Sequence, residues 1–493
     1  MALTGLGLWP ITLFSLAAIS VYLASHVLYN LFFHPLRGYP GPLLMRASRL
    51  AHCYHLIRGT LAFEMLNLHN RYGPVVRIAP DELAFADAAA WKEIMGHQKG
   101  GSEPFEKNMK FYRPFDFMPE DIINAPRENH ALLRRTMAHG FSDRSMREQQ
   151  PIIKGYVDLL IRRLRENCGK GPVDIMSWYN YTTFDIIGDL AFGESFGCLN
   201  DSDYHPWVKA IFQLARMGTI FQILAQYPLL MRLVFALVPK QLMEKREHHM
   251  ELTKVKLRRR MDAGQERSDL VEGLLRKKEE WGLTLDKLQA NSSILIIGGS
   301  ETTATLLSGV TFLLLTNPPA LEKLTTEIRT AFKSEDEMDM ASVSALPYLL
   351  ACLEEALRMY PPVPMGLPRV SPKGGATVCG YYVPEKTIVG VHQWAMYHNE
   401  THFRSPFSFH PERWLGDPAF AGDNKEAFQP FHIGPRNCLG RNLAYIEMRI
   451  IISRVLWNFD MRLAEGSSDW MSKQRVFNFW EKGPLPVYLT PVR

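Results

Sequence analysis

Hydrophobic and polar positions divide the chain into an apolar N-terminal stretch and a long patterned body. The first 36 residues contain no Lys, Arg, Asp or Glu. The run 6–33 exceeds the roughly 20 apolar residues that a bilayer-spanning helix needs. Basic residues follow it, at Arg37, Arg46, Arg49 and Arg58. Because positive charge stays on the cytoplasmic side, we expect a transmembrane signal-anchor over residues 1–33 with the body in the cytosol; the alternative is a buried core helix.

A stiff connector follows the apolar run. Residues 34–42 contain three prolines and two glycines, which disfavour a helix. We therefore expect a proline-rich hinge over residues 34–45. No linker rich in Gly or Ser divides the chain beyond this hinge, so residues 46–493 are predicted to form one large domain.

The periodicity of the body predicts a mainly α fold with small β-sheets. Two short strands are expected at Val75–Ala79 and Glu82–Phe85, and later strands at 377–383 and 387–391. Helical spacing is strongest over six segments: 128–141, 149–166, 178–190, Leu285–Leu315, 319–331 and 346–359. The apolar segment 224–238 is broken by Pro228 and Arg232. It predicts a core helix or a surface helix dipping into a membrane rather than a second span.

Composition and charge disfavour several kinds of binding partner and of cysteine site. The 493 residues are 46% hydrophobic, with 56 Lys plus Arg against 51 Asp plus Glu, giving a net charge of +5. So mild an excess favours no nucleic-acid partner, and it suits an anionic membrane surface or an acidic protein. The six cysteines form no CxxC pair, which disfavours a zinc site or a dithiol redox motif.

One cysteine lies in an unusual loop, 431–440, with the sequence FHIGPRNCLG. Gly434, Pro435 and Gly440 constrain this loop around Cys438. Arg436 lies two residues before the thiol, and a helical pattern begins just after it at residue 441. A cation and a helix N-terminus both favour thiolate. The pattern therefore indicates a functional thiol rather than a buried small hydrophobe.

A second unusual segment interrupts the long helical pattern. Gly298 and Gly299 precede Glu301, Thr302 and Thr303. Two glycines inside a helix cost roughly 1 kcal/mol each. They indicate either a gap in the helix or a close packing contact.

Two charged pairs complete the candidate set. Glu355 and Arg358 are three residues apart and therefore share a helix face, and the apolar residues around them predict burial. His130 and Arg134 are four apart on one face of another helix. Arg413 lies in a Pro-Glu-Arg-Trp segment, and Arg369 follows a proline.

Together these segments resemble the cytochrome P-450 superfamily. The cysteine loop fills every fixed position of the pattern F-x-x-G-x-R-x-C-x-G. Glu355 and Arg358 match E-x-x-R, and Arg413 matches the arginine of a P-E-R-F-like segment. The stretches 183–193 and 391–396, with the hinge, look like microsomal enzymes of filamentous fungi that tailor secondary metabolites. The resemblance implies a cytochrome P-450 fold preceded by an N-terminal transmembrane helix.

The resemblance also implies residue roles around haem b (iron protoporphyrin IX). Cys438 would be the axial thiolate ligand to the iron, favouring O–O cleavage, and Phe431 would shield its sulfur. Thr302 would donate a hydrogen bond to bound dioxygen, and Glu301 would relay protons. Glu355, Arg358 and Arg413 would form a structural triad. The haem propionates would be bound by Arg436, Arg134, His130 and Arg369. The sequence departs from the family at His130, where Trp is common, and at Gly298, where Ala is common.

The implied activity is that of a haem-thiolate monooxygenase. It would insert one atom of dioxygen into a hydrophobic substrate such as a terpenoid or polyketide. Since no strand-coupled G-x-G-x-x-G fingerprint stands out, electrons would come from NADPH through NADPH-cytochrome P-450 reductase, with cytochrome b5 as a further donor. The expected location is the endoplasmic reticulum membrane, single-pass, with the catalytic domain facing the cytosol.

Two other functions remain open. One is a haem-thiolate isomerase or dehydratase that needs no dioxygen, although such enzymes often lack the acid and alcohol found here at Glu301 and Thr302. The other is a non-catalytic haem sensor or carrier, although no segment resembles an output domain.

Overall fold

The computed structural model describes residues 8–98, 103–115, 117–205, 216–237, 254–262, 267 and 269–492. Helices dominate this part of the chain. They are Leu8–Leu28, Leu43–Ala47, Leu50–Ile57, Leu61–Tyr72, Met109–Tyr112, Arg127–Ala138, Asp143–Asn167, Ile175–Phe192, Cys198–Asp201, Pro228–Leu237, Glu272–Arg276, Leu285–Leu315, Pro318–Ala331, Met340–Ser344, Pro347–Met359, Gln393–Tyr397 and Arg441–Asn458, with the described parts 216–224 and 254–262 of two more.

The N-terminal helix projects from the body. Leu8–Leu28 continues into a π-helical turn, Tyr29–Phe33. The stretch Thr12–Phe33 has a mean hydropathy of 1.6 and is only 6% buried. It is therefore not a core helix, and its length and composition fit a membrane anchor. The first seven residues of the predicted anchor lie outside the described part of the chain.

The hinge is attached to the body by backbone contacts. Residues 34–42 form turns rather than a helix, as the prolines predict. The Arg77 N–H donates to the Pro40 carbonyl at 2.7 Å, and the Arg77 guanidinium donates to the Asn30 carbonyl at 2.9 Å. These contacts fix where the anchor leaves the body.

A five-stranded sheet lies beside the hinge, in the order Val75–Ala79, Glu82–Phe85, Ile388–Val391, Arg369–Val370 and Glu106–Lys107. The pairing of Glu82–Phe85 with Ile388–Val391 is parallel, and the other pairings are antiparallel. The first two strands have the predicted bounds. The strand predicted over 377–383 is wrong, because this segment is a hairpin. Ala376–Val378 and Tyr381–Val383 pair across Cys379 and Gly380, which both have positive φ, as a tight hairpin turn requires.

Three further strands pair as Val173–Asp174, Pro486–Pro491 and Phe459–Leu463, and a C-terminal hairpin joins Arg475–Phe477 to Phe479–Glu481. This C-terminal hairpin leads directly into residue 482.

The long helix, Leu285–Leu315, has the predicted bounds and crosses the core. The Thr284 hydroxyl caps its start by accepting from the Lys287 N–H at 3.3 Å. It packs mainly against Ile175–Phe192 and also against Arg441–Asn458 and Pro347–Met359. Although it is apolar enough to span a membrane, 67% of its apolar window is buried, which is typical of a core helix.

The segment 224–238 forms part of two helices that separate at Pro228. Leu229 and Leu233 are 81% and 59% exposed. The core-helix alternative is therefore wrong, and this is a surface helix; residue 238 lies outside the described part.

Candidate active site

The cysteine loop, residues 431–440, is held in one conformation by a close contact between Gly434 and the π-helical turn Trp91–Met95. A Cβ atom on Gly434 would lie 2.0 Å from the Met95 carbonyl oxygen, and Gly434 has φ +77°. Only glycine fits such a position. The Cys438 N–H then donates to the Phe431 carbonyl at 2.8 Å, which closes the loop.

Cys438 differs from the other cysteines in its surroundings. It is exposed, whereas Cys53, Cys198 and Cys352 are buried. Burial nevertheless raises the pKa of its thiol, opposed by the Gly440 N–H and by Arg134 and Arg441. Protein atoms therefore surround the thiol, although the residue remains accessible.

The predicted effect of Arg436 on the thiol is wrong. The cations that act on the Cys438 pKa are Arg134 and Arg441. The Arg436 Nη2 instead donates to the Ala125 carbonyl at 2.9 Å. Burial therefore disfavours the thiolate, and Arg134 and Arg441 favour it.

Arg134 joins the helix Arg127–Ala138 to the cysteine loop. Its Nη1 donates to the Asn437 carbonyl at 2.6 Å, and its Nη2 donates to the Asn437 side chain. Both bonds go to the residue immediately before Cys438. Arg134 therefore orients the loop directly, and its contact with a haem propionate stays a prediction.

Four basic side chains converge near the loop from separate elements: Lys107, His130, Arg369 and Arg436. The pKa of His130 is lowered to about 3 by burial and then by Arg436 and Lys107. The pKa of Lys107 is lowered to about 6 by burial and then by Arg436 and Arg369. The Arg369 Nε and Arg436 Nη1 atoms are buried and have no hydrogen-bond partner among the described residues. Such a cluster fits a dianion, as the two carboxylates of haem would provide.

Lys107 was missed by sequence reasoning. It lies on the two-residue strand Glu106–Lys107, directly opposite Arg369. Its Nζ donates to the Ile123 carbonyl and lies 4.2 Å from the centre of the Tyr112 ring. A strand this short has no periodicity, so only the sheet pairing shows that Lys107 joins the cluster.

The two glycines of the long helix have different environments. A Cβ atom on Gly299 would lie 2.7 Å from Ile187 Cδ1, whereas nothing lies within 4 Å of one on Gly298. The Thr302 hydroxyl donates to the Gly298 carbonyl at 2.7 Å. The packing-contact alternative is therefore confirmed at Gly299. The helix has no gap, because it is continuous over Leu285–Leu315, and Gly298 has open space beside it.

Glu301 forms a buried ion pair from the long helix. Its carboxylate pairs with Lys482, and the two side chains are only 5% and 3% exposed. The Thr305 hydroxyl is 3.3 Å from Glu301 Oε1 and 2.5 Å from the Lys482 ammonium. No local sequence signal links Lys482 to Glu301, since the contact depends on the path of the C-terminal hairpin.

The predicted triad assembles as a buried ion network. The Arg358 guanidinium donates to the Glu355 carboxylate at 2.8 and 2.9 Å, and Arg413 Nε donates to it at 3.0 Å. All three side chains are 0% exposed. Although burial alone would raise it, Arg358 and Arg413 hold the pKa of Glu355 below its ordinary value. The predicted burial of the Glu355–Arg358 pair is confirmed.

Phe431 packs on the helix that follows the loop. Its ring centre lies 5.2 Å from that of Tyr445, and the Arg441 guanidinium lies 5.9 Å from it. Shielding of the Cys438 sulfur by this ring stays a prediction.

A small cavity lies between the hinge-side helices and the five-stranded sheet. Its volume is about 50 Å³, and both apolar and polar residues line it. The lining includes Leu56, Leu61 and Met365 together with His52, Asn108 and His392. Burial lowers the pKa values of both histidines to about 3, so they are neutral hydrogen-bonding groups.

Comparison with known proteins agrees with this geometry. The family model for cytochrome P450 matches residues 36–485. Cytochrome P450 monooxygenase prhB of Penicillium brasilianum is 47% identical over 97% of this chain and 98% of its own length. Trichothecene C-15 hydroxylase of Fusarium sporotrichioides is 44% identical over 98% and 99% of the two chains. Averantin hydroxylase of Dothistroma septosporum is 43% identical over 97% and 90%. The chain therefore belongs to the cytochrome P450 family, a family with a haem-thiolate cofactor, and it is a monooxygenase and thus an oxidoreductase.

Proposed function

We propose that this enzyme inserts one oxygen atom from dioxygen into a hydrophobic small molecule, with electrons from NADPH delivered by NADPH-cytochrome P-450 reductase. The observation that carries the proposal is the accessible Cys438 thiol beside a buried basic cluster. Arg436 of this cluster is two residues before Cys438 on the same loop, and a thiol ligand next to a dianion site suits a haem group. The second oxygen atom leaves as water, which requires two electrons and two protons.

The residues that would hold the cofactor, proposed as haem b, follow from the site. Cys438 would be the axial ligand, and Lys107, His130, Arg369 and Arg436 would bind the two propionates. Arg134 would keep the loop in place through Asn437. When bound, the haem supplies the activation of dioxygen that amino acid side chains cannot perform.

The long helix would supply the proton-handling groups. Thr302 faces the open side next to Gly298 and would donate a hydrogen bond to the reacting oxygen. Glu301, one residue earlier, would relay protons from solvent. General acid–base groups of this kind contribute roughly 10²–10⁴-fold to a rate.

The substrate class proposed is a terpenoid or a polyketide. Two relatives are named for a trichothecene and for averantin, and both names describe hydroxylation.

The proposed location is the endoplasmic reticulum membrane, single-pass, with the body in the cytosol. Residues 1–33 would be the anchor, 34–45 the hinge and 46–493 the catalytic domain. The exposed Leu229 and Leu233 on Pro228–Leu237 would add a second contact with lipid. Arg441, beside the cysteine loop, would face an acidic reductase, and cytochrome b5 would use the same side.

The experiment is turnover of the full chain in phospholipid vesicles with reductase, NADPH and isotopically labelled dioxygen. Averantin and a trichothecene that lacks a C-15 hydroxyl are the first probes. We expect NADPH consumption and a product that has gained one labelled oxygen atom. A product formed without labelled oxygen would support the isomerase or dehydratase alternative. Probe binding without NADPH consumption or product would support the sensor or carrier alternative.

A further inference from the structure

The Glu301 carboxylate uses its two oxygen atoms differently. Oε1 contacts the Lys482 ammonium and the Thr305 hydroxyl. Oε2 is buried and has no hydrogen-bond partner among the described residues. One oxygen is therefore held by a cation, and the other is free to accept a proton.

The burial of Glu301 makes this cation necessary. A carboxylate in a low-dielectric interior is costly unless an opposite charge or hydrogen bonds stabilise it. Glu447 illustrates the other case, since burial raises its pKa well above the ordinary value, opposed only by the Thr303 hydroxyl. Glu301 belongs to the long helix and Glu447 to the helix Arg441–Asn458 packed against it. Of these two acids, Glu301 has a lysine partner among the described residues.

Lys482 is placed by a well-packed support. The C-terminal hairpin that precedes it carries Trp480, whose indole N–H donates to the Pro361 carbonyl at 2.7 Å. The Trp480 ring stacks on Tyr360 with centres 4.3 Å apart. Burial and then Glu301 raise the pKa of the Tyr360 hydroxyl. The neutral Tyr360 therefore cannot replace the lysine charge.

We propose that Lys482 is a positioning residue that keeps Glu301 ionised and holds its carboxylate next to the C-terminal hairpin. Glu301 relays protons only while it is paired with Lys482. In the relay, Glu301 Oε2 accepts one proton and later gives it up towards Thr302, which restores the carboxylate without any change in electrons. Lys482 keeps its own proton and favours release from Glu301. This proposal rests on the proposed monooxygenase function.

The first test does not depend on a substrate. The infrared C=O stretch of protonated carboxyl groups is recorded for the resting haem-loaded full chain at neutral pH. We expect Lys482→Met to gain one protonated carboxyl that is absent from the double variant Glu301→Gln/Lys482→Met. Lys482→Arg should match the wild type, because it keeps the charge. The signal of Glu447 is common to all variants and cancels in the differences.

The second test is functional, with the averantin or trichothecene probe that the wild type oxygenates. We expect Lys482→Met to lower product per NADPH consumed about tenfold or more, with hydrogen peroxide released instead and KM unchanged. Lys473→Met is the matched control, since Lys473 is exposed and pairs with Asp469 on the surface. If Lys482→Met fails to bind haem, Lys482→Gln takes its place in both tests.

The outcomes separate this proposal from the proposed function. Unchanged infrared spectra and unchanged coupling in an active Lys482→Met enzyme would overturn the role of Lys482 and leave the monooxygenase function intact. The predicted infrared change in a protein that oxygenates neither probe would keep the ion-pair role and overturn the proposed oxygen insertion into these probes.

Discussion

Lys107 lies directly opposite Arg369 across two antiparallel strands of two residues each. The pairing brings two cations together beside Arg436 and His130, against the ordinary preference for opposite charges across a sheet. Lys107 consequently has a pKa lowered to about 6 by burial and by these arginines. A repulsive arrangement of this kind is stable when a dianion such as haem neutralises it.

The first prediction concerns the pH dependence of haem retention. The propionates should raise the pKa of Lys107 above its value of about 6, so haem binding takes up a proton. The affinity of the protein for haem then increases as the pH falls towards about 6 and decreases as the pH rises above about 6. Each pKa unit corresponds to about 1.4 kcal/mol, or a factor of ten. Haem transfer to apomyoglobin should therefore accelerate with rising pH in the wild type.

Lys107→Met should flatten this pH dependence and speed haem transfer at neutral pH about tenfold or more. Lys92→Met is the control, because Lys92 is a 65% exposed lysine that pairs with Glu426 on the surface. Equal pH dependence in the Lys107→Met variant and the wild type would show that Lys107 does not face the propionates.

The second prediction concerns the triad. Glu355→Gln leaves Arg358 buried without its counter-charge and leaves Arg413 with Asp423 alone, and breaking a buried ion pair costs about 3–5 kcal/mol. Urea unfolding followed by the haem absorbance should show this loss in the free energy of unfolding. The wild type should lose the same stabilisation as pH falls, because a carboxyl with a lowered folded-state pKa binds a proton more readily when unfolded.

Glu426→Gln provides the surface control for the triad. Glu426 is 67% exposed and pairs with Lys92 at 3.1 Å, and such pairs contribute at most about 1 kcal/mol. A loss in Glu355→Gln as small as that in Glu426→Gln would mean that the triad does not support the core.

The third prediction separates the two glycines of the long helix. Gly299→Ala places a Cβ atom 2.7 Å from Ile187 Cδ1 and should destabilise the enzyme by about 1–3 kcal/mol through overpacking. Adding Ile187→Val should recover part of this loss. Gly298→Ala has open space around it and should stabilise the helix by up to about 1 kcal/mol. Thermal unfolding of the three variants measures both effects, and equal losses at the two glycines would contradict the difference in packing.

The fold was predictable wherever periodicity runs over many residues. The long helix has the predicted bounds, since Thr284 marks its start and apolar residues continue to Leu315. The helix predicted at 149–166 begins earlier, at Asp143, because its first turns are polar and Ser142 provides the cap. The two-residue strands at Glu106–Lys107 and Arg369–Val370 were missed, since no pattern exists at that length.

The site was predictable where residues are close in the chain. The loop around Cys438 and the Glu355–Arg358 pair could be read locally. Lys107 and Lys482 could not be predicted from nearby residues. Strand pairing brings Lys107 to the site, and the path of the C-terminal hairpin brings Lys482 there. The cations that act on the Cys438 thiol could not be predicted either. Arg436 donates to the Ala125 carbonyl, and Arg134 and Arg441 are the cations that act on the thiol.

The central claim is that Cys438 is the thiolate ligand of a haem iron. The most direct measurement is the absorption spectrum of the dithionite-reduced full chain with carbon monoxide, for the wild type beside Cys438→Ala and Cys379→Ala. We predict a strongly red-shifted Soret band in the wild type and in Cys379→Ala, and its loss in Cys438→Ala. Haem incorporation into the wild type without that band, or the same band in Cys438→Ala, would contradict the account.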